Sequence, residues 1–182
     1  MRKKSSIAPD WWDYTTLDLD SKTTDKIAGM GPEDLINLSR PGFKVVFYET
    51  VEEFYVAEAL EYVKVWQQST ENDPVGICGP IGPTEQLPLV ARIINELNIS
   101  VKHGHFWSMD EWVVNGKEID ANHSLSFKKA FTDLCYSRID KKLAMPEENI
   151  HFPKYDTSEF VKSWEKARCL IMQGGQGDVK HW

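Results

Sequence analysis

The stretch VGICGPIGPTEQLPLVARIINEL, residues 75 to 97, decides the fold. Its first five residues, VGICG, follow the turn-like Asn72-Asp73-Pro74 and form the short apolar run of a buried strand. LPLVARIINEL, 87 to 97, predicts a helix with Leu89, Ile93, Ile94 and Leu97 on its inner side. Between the two, Gly79-Pro-Ile-Gly82-Pro-Thr84-Glu85 carries the chain from strand into helix.

The same alternation extends in both directions. Upstream, KVVFY, 44 to 48, reads as a strand. It precedes Thr50-Val-Glu-Glu53, which has capping-box spacing, and apolar positions Phe54, Ala57, Leu60, Val63 and Val65 near helical period. Downstream, HFWSMDEWV, 105 to 113, is a strand leaving the core at its acidic end. SLSFKKAFTDLCYSRI, 124 to 139, is an amphipathic helix with Phe127, Phe131, Leu134 and Cys135 inward. NIHFP, 149 to 153, is a brief strand, Asp156-Thr-Ser-Glu159 caps another helix, and CLIM, 169 to 172, is a last strand. Strands alternating with helices predict an α/β fold: a three-layer, mostly parallel, Rossmann-like sheet flanked by helices.

Residues 1 to 42 are polar, Asp- and Thr-rich and broken by Pro9, Pro32 and Pro41. They read as an N-terminal extension, either a simple flexible arm or a segment that wraps the domain or mediates assembly, with Trp11, Trp12 and Tyr14 as candidate anchors, and a homo-oligomer is a candidate assembly. The α/β domain is expected over 43 to 182.

With 182 residues and 41% hydrophobic composition, the chain suffices for one core. A formal net charge of -7 argues against nucleic acid as a partner. No run approaches the ~20 apolar residues of a membrane span. Cys78, Cys135 and Cys169 are odd in number and lack metal-site spacing, so they read as reduced packing thiols in a cytoplasmic protein.

In parallel sheets, ligands bind beyond the carboxyl ends of the strands. Three such ends carry unusual residues. In the 79 to 85 turn, glycines allow close backbone approach and Thr84 offers a hydroxyl, which suits a phosphate; a bland Gly/Pro connector has the same residues. Asp110 and Glu111 are adjacent acids whose side chains point to opposite sides of a strand, so only one faces a given site. Enclosure between Met109 and Trp112 would disfavour the charged form of such an acid, whereas composition favours a solvated surface pair. The third end carries glycines 174, 175 and 177, then Asp178, Lys180 and His181, where a histidine beside an acid is suited to moving protons.

Taken together and in order, these segments resemble the glucosamine-6-phosphate isomerase/deaminase family. In that family a strand leads into a TGGTP-like phosphate loop, a later strand ends in MDEY, a helix carrying an SF pair follows, and a further strand ends in a GGxGxDGH loop. The counterparts are Ile81-Gly82-Pro83-Thr84-Glu85, Met109-Asp110-Glu111-Trp112, Ser126-Phe127 and Gly174 to His181. The resemblance spans about residues 43 to 182. It implies conversion of an amino-sugar phosphate to a ketose phosphate with release of ammonia. Asp110 would move a proton between C2 and C1, Gly82 and Thr84 would hold the phosphate, and His181 would help open the sugar ring, with Asp178 as the candidate ring-opening acid. The small-molecule sugar phosphate is then the only partner the chemistry needs, and no metal or organic cofactor is required. The alternative from the same resemblance is a non-catalytic relative that binds sugar phosphates or serves assembly.

The chain departs from the family pattern at identifiable places. Val179 stands where the family has its loop acid, Asp178 is one place early, Lys180 replaces a glycine, and Glu85 replaces a proline beside the expected phosphate. The family continues past the histidine with AFNEP-like residues, so the expectation is a chain that stops inside its active-site loop.

Overall fold

The computed structural model describes residues 20 to 82 and 84 to 174. The chain divides into two compact units, Met1–Glu49 and Thr50–Trp182. In the first, helix α1 (Ser21–Ala28) starts at Asp20, whose carboxylate accepts the Thr23 N–H at 2.8 Å. Helix α2 (Pro32–Ile36) opens with a proline in its first turn, where the lost N–H would have no helical partner anyway. KVVFY is not a strand: residues 44 to 48 enter no sheet among the described residues, and Val46, Phe47 and Tyr48 are exposed. β-branched and aromatic composition makes a strand only where a partner strand and a buried face are supplied.

The second unit is an α/β fold. It contains α3 (Val51–Gln68), β1 (Val75–Gly79), α4 (Gln86–Glu96), β2 (His105–Ser108), β3 (Val113–Val114), β4 (Lys117–Glu118), α5 (Phe127–Leu134), β5 (Ile150–His151), α6 (Ser158–Ser163) and β6 (Arg168–Met172). Four strands form a parallel sheet in the order β5-β2-β1-β6. The chain thus moves outward from β1 through β2 to β5 and then returns to the other side of β1. That reversal is a topological switch point, the place where open parallel sheets leave a crevice.

Two faces of the sheet are covered. On one, Ile77 and Phe106 lie at paired positions and join a core built from α3, α4 and α5. The Phe106 and Phe131 rings stack with centroids 4.1 Å apart. On the other face, the Trp107 indole stacks on Trp164, the residue after α6, at 4.7 Å and donates to the Ser163 hydroxyl at 2.9 Å. Gly76 makes room for this indole, since a Cβ there would come within 2.4 Å of both a Trp107 ring carbon and the His105 carbonyl oxygen. Burial of Cys78 and Cys135 pushes their thiols up, to about 11 and about 12, as expected of packing residues.

Several elements differ from expectation in extent or phase. Strand β2 stops at Ser108, and the acidic stretch after it leads into a hairpin, β3 with β4, turned by Asn115 and Gly116 at φ 52° and 73°. Asn-Gly accepts two positive φ angles, as a tight hairpin with a right-handed twist requires. The expected helix over 124 to 139 is α5 followed by a 3-10 turn at Tyr136–Arg138. Helix α3 starts at Thr50, whose hydroxyl accepts the Glu53 N–H at 3.2 Å, but it buries Ala59, Tyr62, Val63, Val65 and Trp66 and leaves Phe54 and Leu60 exposed. In α4 the inward set is Leu87, Val90, Ala91 and Ile94, while Leu97 is 66% exposed beyond the helix end. No helix among the described residues is long and apolar enough to cross a membrane.

Beside Trp107, the rings of His105 and His151 stack, with His105 Nδ1 3.1 Å from His151 Nε2. One nitrogen must donate and the other accept, so the bond requires that at least one ring be neutral. Burial holds both imidazoles well below their usual range, to about 4, and the Lys166 ammonium adds to this in each case. An unfolded chain takes up these protons near pH ~6.5, so between that value and about 4 it binds more protons than the folded one, and stability is lost as the pH falls through this window. Glu58, raised to about 7, acts in the opposite sense over part of the window, but it is one group against two. The urea midpoint is therefore expected to be lower at pH 5 than at pH 7, with a smaller difference for His151→Phe. Equal midpoints for the unsubstituted protein would contradict the neutral pair.

Candidate functional site

Strands β1 and β2 end side by side. Gly79 pairs with Ser108, and the Met109 N–H donates to the Gly79 carbonyl at 3.2 Å, so the 79 to 85 loop and the Asp110 turn leave the sheet together. The Ser108 hydroxyl, on a fully buried residue, donates to the Asp110 carbonyl at 2.8 Å and fixes the turn from beneath.

The two adjacent acids separate into different roles. Glu111 is bound up in the fold: its carboxylate accepts the N–H groups of Trp112, Phe127 and Lys128 at 3.0, 3.0 and 2.9 Å and the Ser126 hydroxyl at 3.1 Å. Ser126 in turn accepts the Lys129 N–H at 3.2 Å as the N-cap of α5. The first three N–H groups of α5, which no helical carbonyl can satisfy, thus all have partners, and a negative charge sits at the positive end of the helix dipole. Asp110 is exposed at the turn, between Met109 and Trp112, which are 46% and 51% exposed. Of the pair, Glu111 is the acid bound into the start of α5, and Asp110 is the one exposed at the turn.

The loop after β1 has different properties at each glycine. At Gly79 a Cβ would lie 2.3 Å from the Tyr62 hydroxyl, so this glycine serves packing against α3. At Gly82 a Cβ would meet nothing within 4 Å, and the residue is exposed, open to an incoming group. Thr84 is also exposed, and its carbonyl accepts the Leu87 N–H at 3.2 Å. Helix α4 begins at Glu85 without a side-chain cap, but Leu87 already gives its N–H to Thr84 and Pro88 has none, so the first three residues offer another acceptor at most the Gln86 N–H. The surroundings are acidic: burial first, then the carboxylates of Glu85, Glu52 and Glu58, push the Tyr55 hydroxyl up. Gly82, Thr84 and Asp110 therefore stand on neighbouring strand ends. His181, Asp178 and the loop from 175 onward lie outside the described residues.

A polar cluster at the end of β6 has no counterpart in the sequence reading. Gln173, 8% exposed, donates its backbone N–H to the Cys78 carbonyl at 2.8 Å and its side-chain amide to Glu61 at 2.6 Å. Burial, then the Glu61 charge, raises Glu58 to about 7. In sequence these acids sit three apart on a helix whose apolar face dominates its pattern; the only other signal is a glutamine before Gly174. Among the described residues no group of His, Cys, Asp or Glu is arranged to hold a metal ion.

No family model and no curated protein matches the chain. Among solved structures it is similar to a monomeric glucosamine-6-phosphate deaminase, described as a missing link of the NagB superfamily, with a TM-score of 0.42 and 13% identity. The match covers 62% of this chain and 44% of that one, so the chain spans less than half of that protein's length.

The division of labour between the acids predicts opposite mutational behaviour. Glu111→Gln should lower stability by about 1–3 kcal/mol, because an amide cannot accept from four donors while placing its own NH2 among them. Asp110→Asn, at an exposed turn, should cost less than Glu111→Gln. Urea unfolding of the two variants measures both; a larger loss for Asp110→Asn would reverse the assignment.

Proposed function

We propose that this protein is a cytoplasmic glucosamine-6-phosphate isomerase/deaminase-like enzyme, converting an amino-sugar phosphate to a ketose phosphate. The observation that carries the reading is the shared edge of Asp110, Gly82 and Thr84 at the ends of two hydrogen-bonded strands. Such an edge suits a substrate held by its phosphate at one end and deprotonated at the other. The motif resemblance supplies the residue roles; the solved neighbour, at its low similarity, adds nothing to them.

In this reading, Gly82 and the Thr84 hydroxyl hold the phosphate. Asp110, exposed on its fixed turn, takes the proton from C2 of the opened sugar and returns it to C1, which turns the amine-bearing carbon into an imine. Water adds to that carbon and ammonia leaves, giving the ketose. His181 and Asp178 serve ring opening. The base needs no metal, because one carboxylate within reach of both carbons suffices for a proton shift.

One observation favours the second reading, a non-catalytic relative. Glu52, Glu58 and Glu85 all act on Tyr55, and a phosphate dianion entering beside Glu85 would meet like charge. An enzyme of the proposed kind must turn that carboxylate away when substrate binds.

Ammonia release from glucosamine 6-phosphate is the direct measurement. Turnover should fall at least ~100-fold in Asp110→Asn, with binding of the sugar phosphate retained. Turnover unchanged by the substitution would remove Asp110 as the base, and binding without any ammonia release would select the second reading.

A further inference from the structure

A separate cleft of about 390 Å³ opens one strand away from Asp110, between the β3–β4 hairpin, the start of α5, the end of β5 and α6. Its volume falls within the ~300–1,000 Å³ usual for small-molecule sites. Three lysines from different segments reach it: Lys128 on α5, Lys154 after β5 and Lys166 after α6. In a chain of net charge -7 such a convergence calls for an explanation.

Among the described residues, none of the carboxylates that line the same cleft forms a salt bridge with these lysines. Glu111 is taken up by its four donors. Glu118 accepts the Tyr155 N–H at 2.8 Å, and backbone hydrogen bonds, with a smaller part from the Lys154 charge, hold it below the usual carboxylate range. Glu159 pairs with Lys162 at 3.1 Å, and Lys162 does not line the cleft. Of the lysines, Lys128 lies 3.6 Å from Glu147. Among the described residues, no carboxylate comes within salt-bridge distance of Lys154 or Lys166. The same lining carries the apolar rings of Phe152 and Phe160, and buried His151 as well.

We propose that this cleft binds a small organic oxyanion, its charged group between Lys154 and Lys166 and its apolar body against Phe152 and Phe160. Two cations outside any salt bridge, over a partly apolar floor, suit a carboxylate or a phosphate monoester carried on a ring; they do not suit a cation or a neutral polyol. The cleft runs along edge strand β5 on the side where α6 packs, from the β3–β4 hairpin to Lys166 ahead of β6. The site is independent of the sugar-phosphate reading, since it shares none of Gly82, Thr84 or Asp110.

Calorimetric titration of the full chain with phenyl phosphate, benzoate and neutral benzyl alcohol tests it. One or both anions should bind, and the alcohol should not; which anion binds identifies the charged group. Lys154→Met with Lys166→Met should weaken binding by ~10-fold or more, while Lys141→Met, on the exposed surface away from the cleft, should leave it unchanged. Because an anion beside Lys166 offsets that lysine's charge, NMR titration should also show the His151 pKa rising when ligand is present, a signal that mere loss of stability would not give. Binding of benzyl alcohol as tight as that of the anions, anion affinity indifferent to the lysine pair, or no anion binding at ~10 mM would each overturn the proposal.

Discussion

The Glu111 carboxylate ties the end of β2 to the start of α5, and the arrangement of the candidate site follows from that tie. Three of its four donors come from residues 15 to 17 positions further along the chain. Charge-assisted bonds of this kind are stronger than neutral ones, and a carboxylate at a helix start gains further from the dipole. Glu111 is turned toward α5, while the neighbouring Asp110 remains exposed at the turn. The buried Ser108 hydroxyl adds a second constraint by gripping the Asp110 carbonyl. An exposed acid thereby stands on a backbone held from two sides.

The sheet beneath makes that position useful. Its central pair, β1 and β2, is close-packed on both faces: Gly76 clears the Trp107 indole on one and Gly79 clears the Tyr62 hydroxyl on the other. Trp66 crosses from α3 to donate to the His105 carbonyl at 2.9 Å. With side chains on both faces locked in this way, the ends of β1 and β2 are set to within the tolerance of a hydrogen bond, and the loops they release inherit the alignment.

Much of this is legible in the sequence because it rests on local signals. VGICG and CLIM are apolar runs bounded by turn residues, and both are strands; Thr50 has capping-box spacing, and it starts a helix. KVVFY carries the same composition yet has no partner strand among the described residues, which no local pattern reveals. Helix α3 offers two overlapping apolar stripes, and the one with Tyr62 and Trp66 wins because the larger rings bury more surface. For the site, strand alternation tells that Asp110 and Glu111 diverge, but the choice between them depends on where α5 docks. The bond from Gln173 to Glu61 spans 112 residues and lies beyond any reading of spacing.

The charge at the end of β6 depends on that same distant contact. Gln173 uses its amide N–H on Glu61, which leaves its carbonyl oxygen, and one oxygen of Glu58, buried without a donor among the described residues. Unmatched buried acceptors are costly, most of all when one of them is ionised. Protonation of Glu58 removes the charge, and its rise to about 7 by burial and by Glu61 puts that event near neutrality. Below that value Glu58 no longer adds to the negative field that Glu52 and Glu85 maintain around Tyr55. The acidity around Tyr55 is therefore tied to the contact that draws the end of β6 against α3, since the Glu61 that accepts from Gln173 is also the charge that helps raise Glu58.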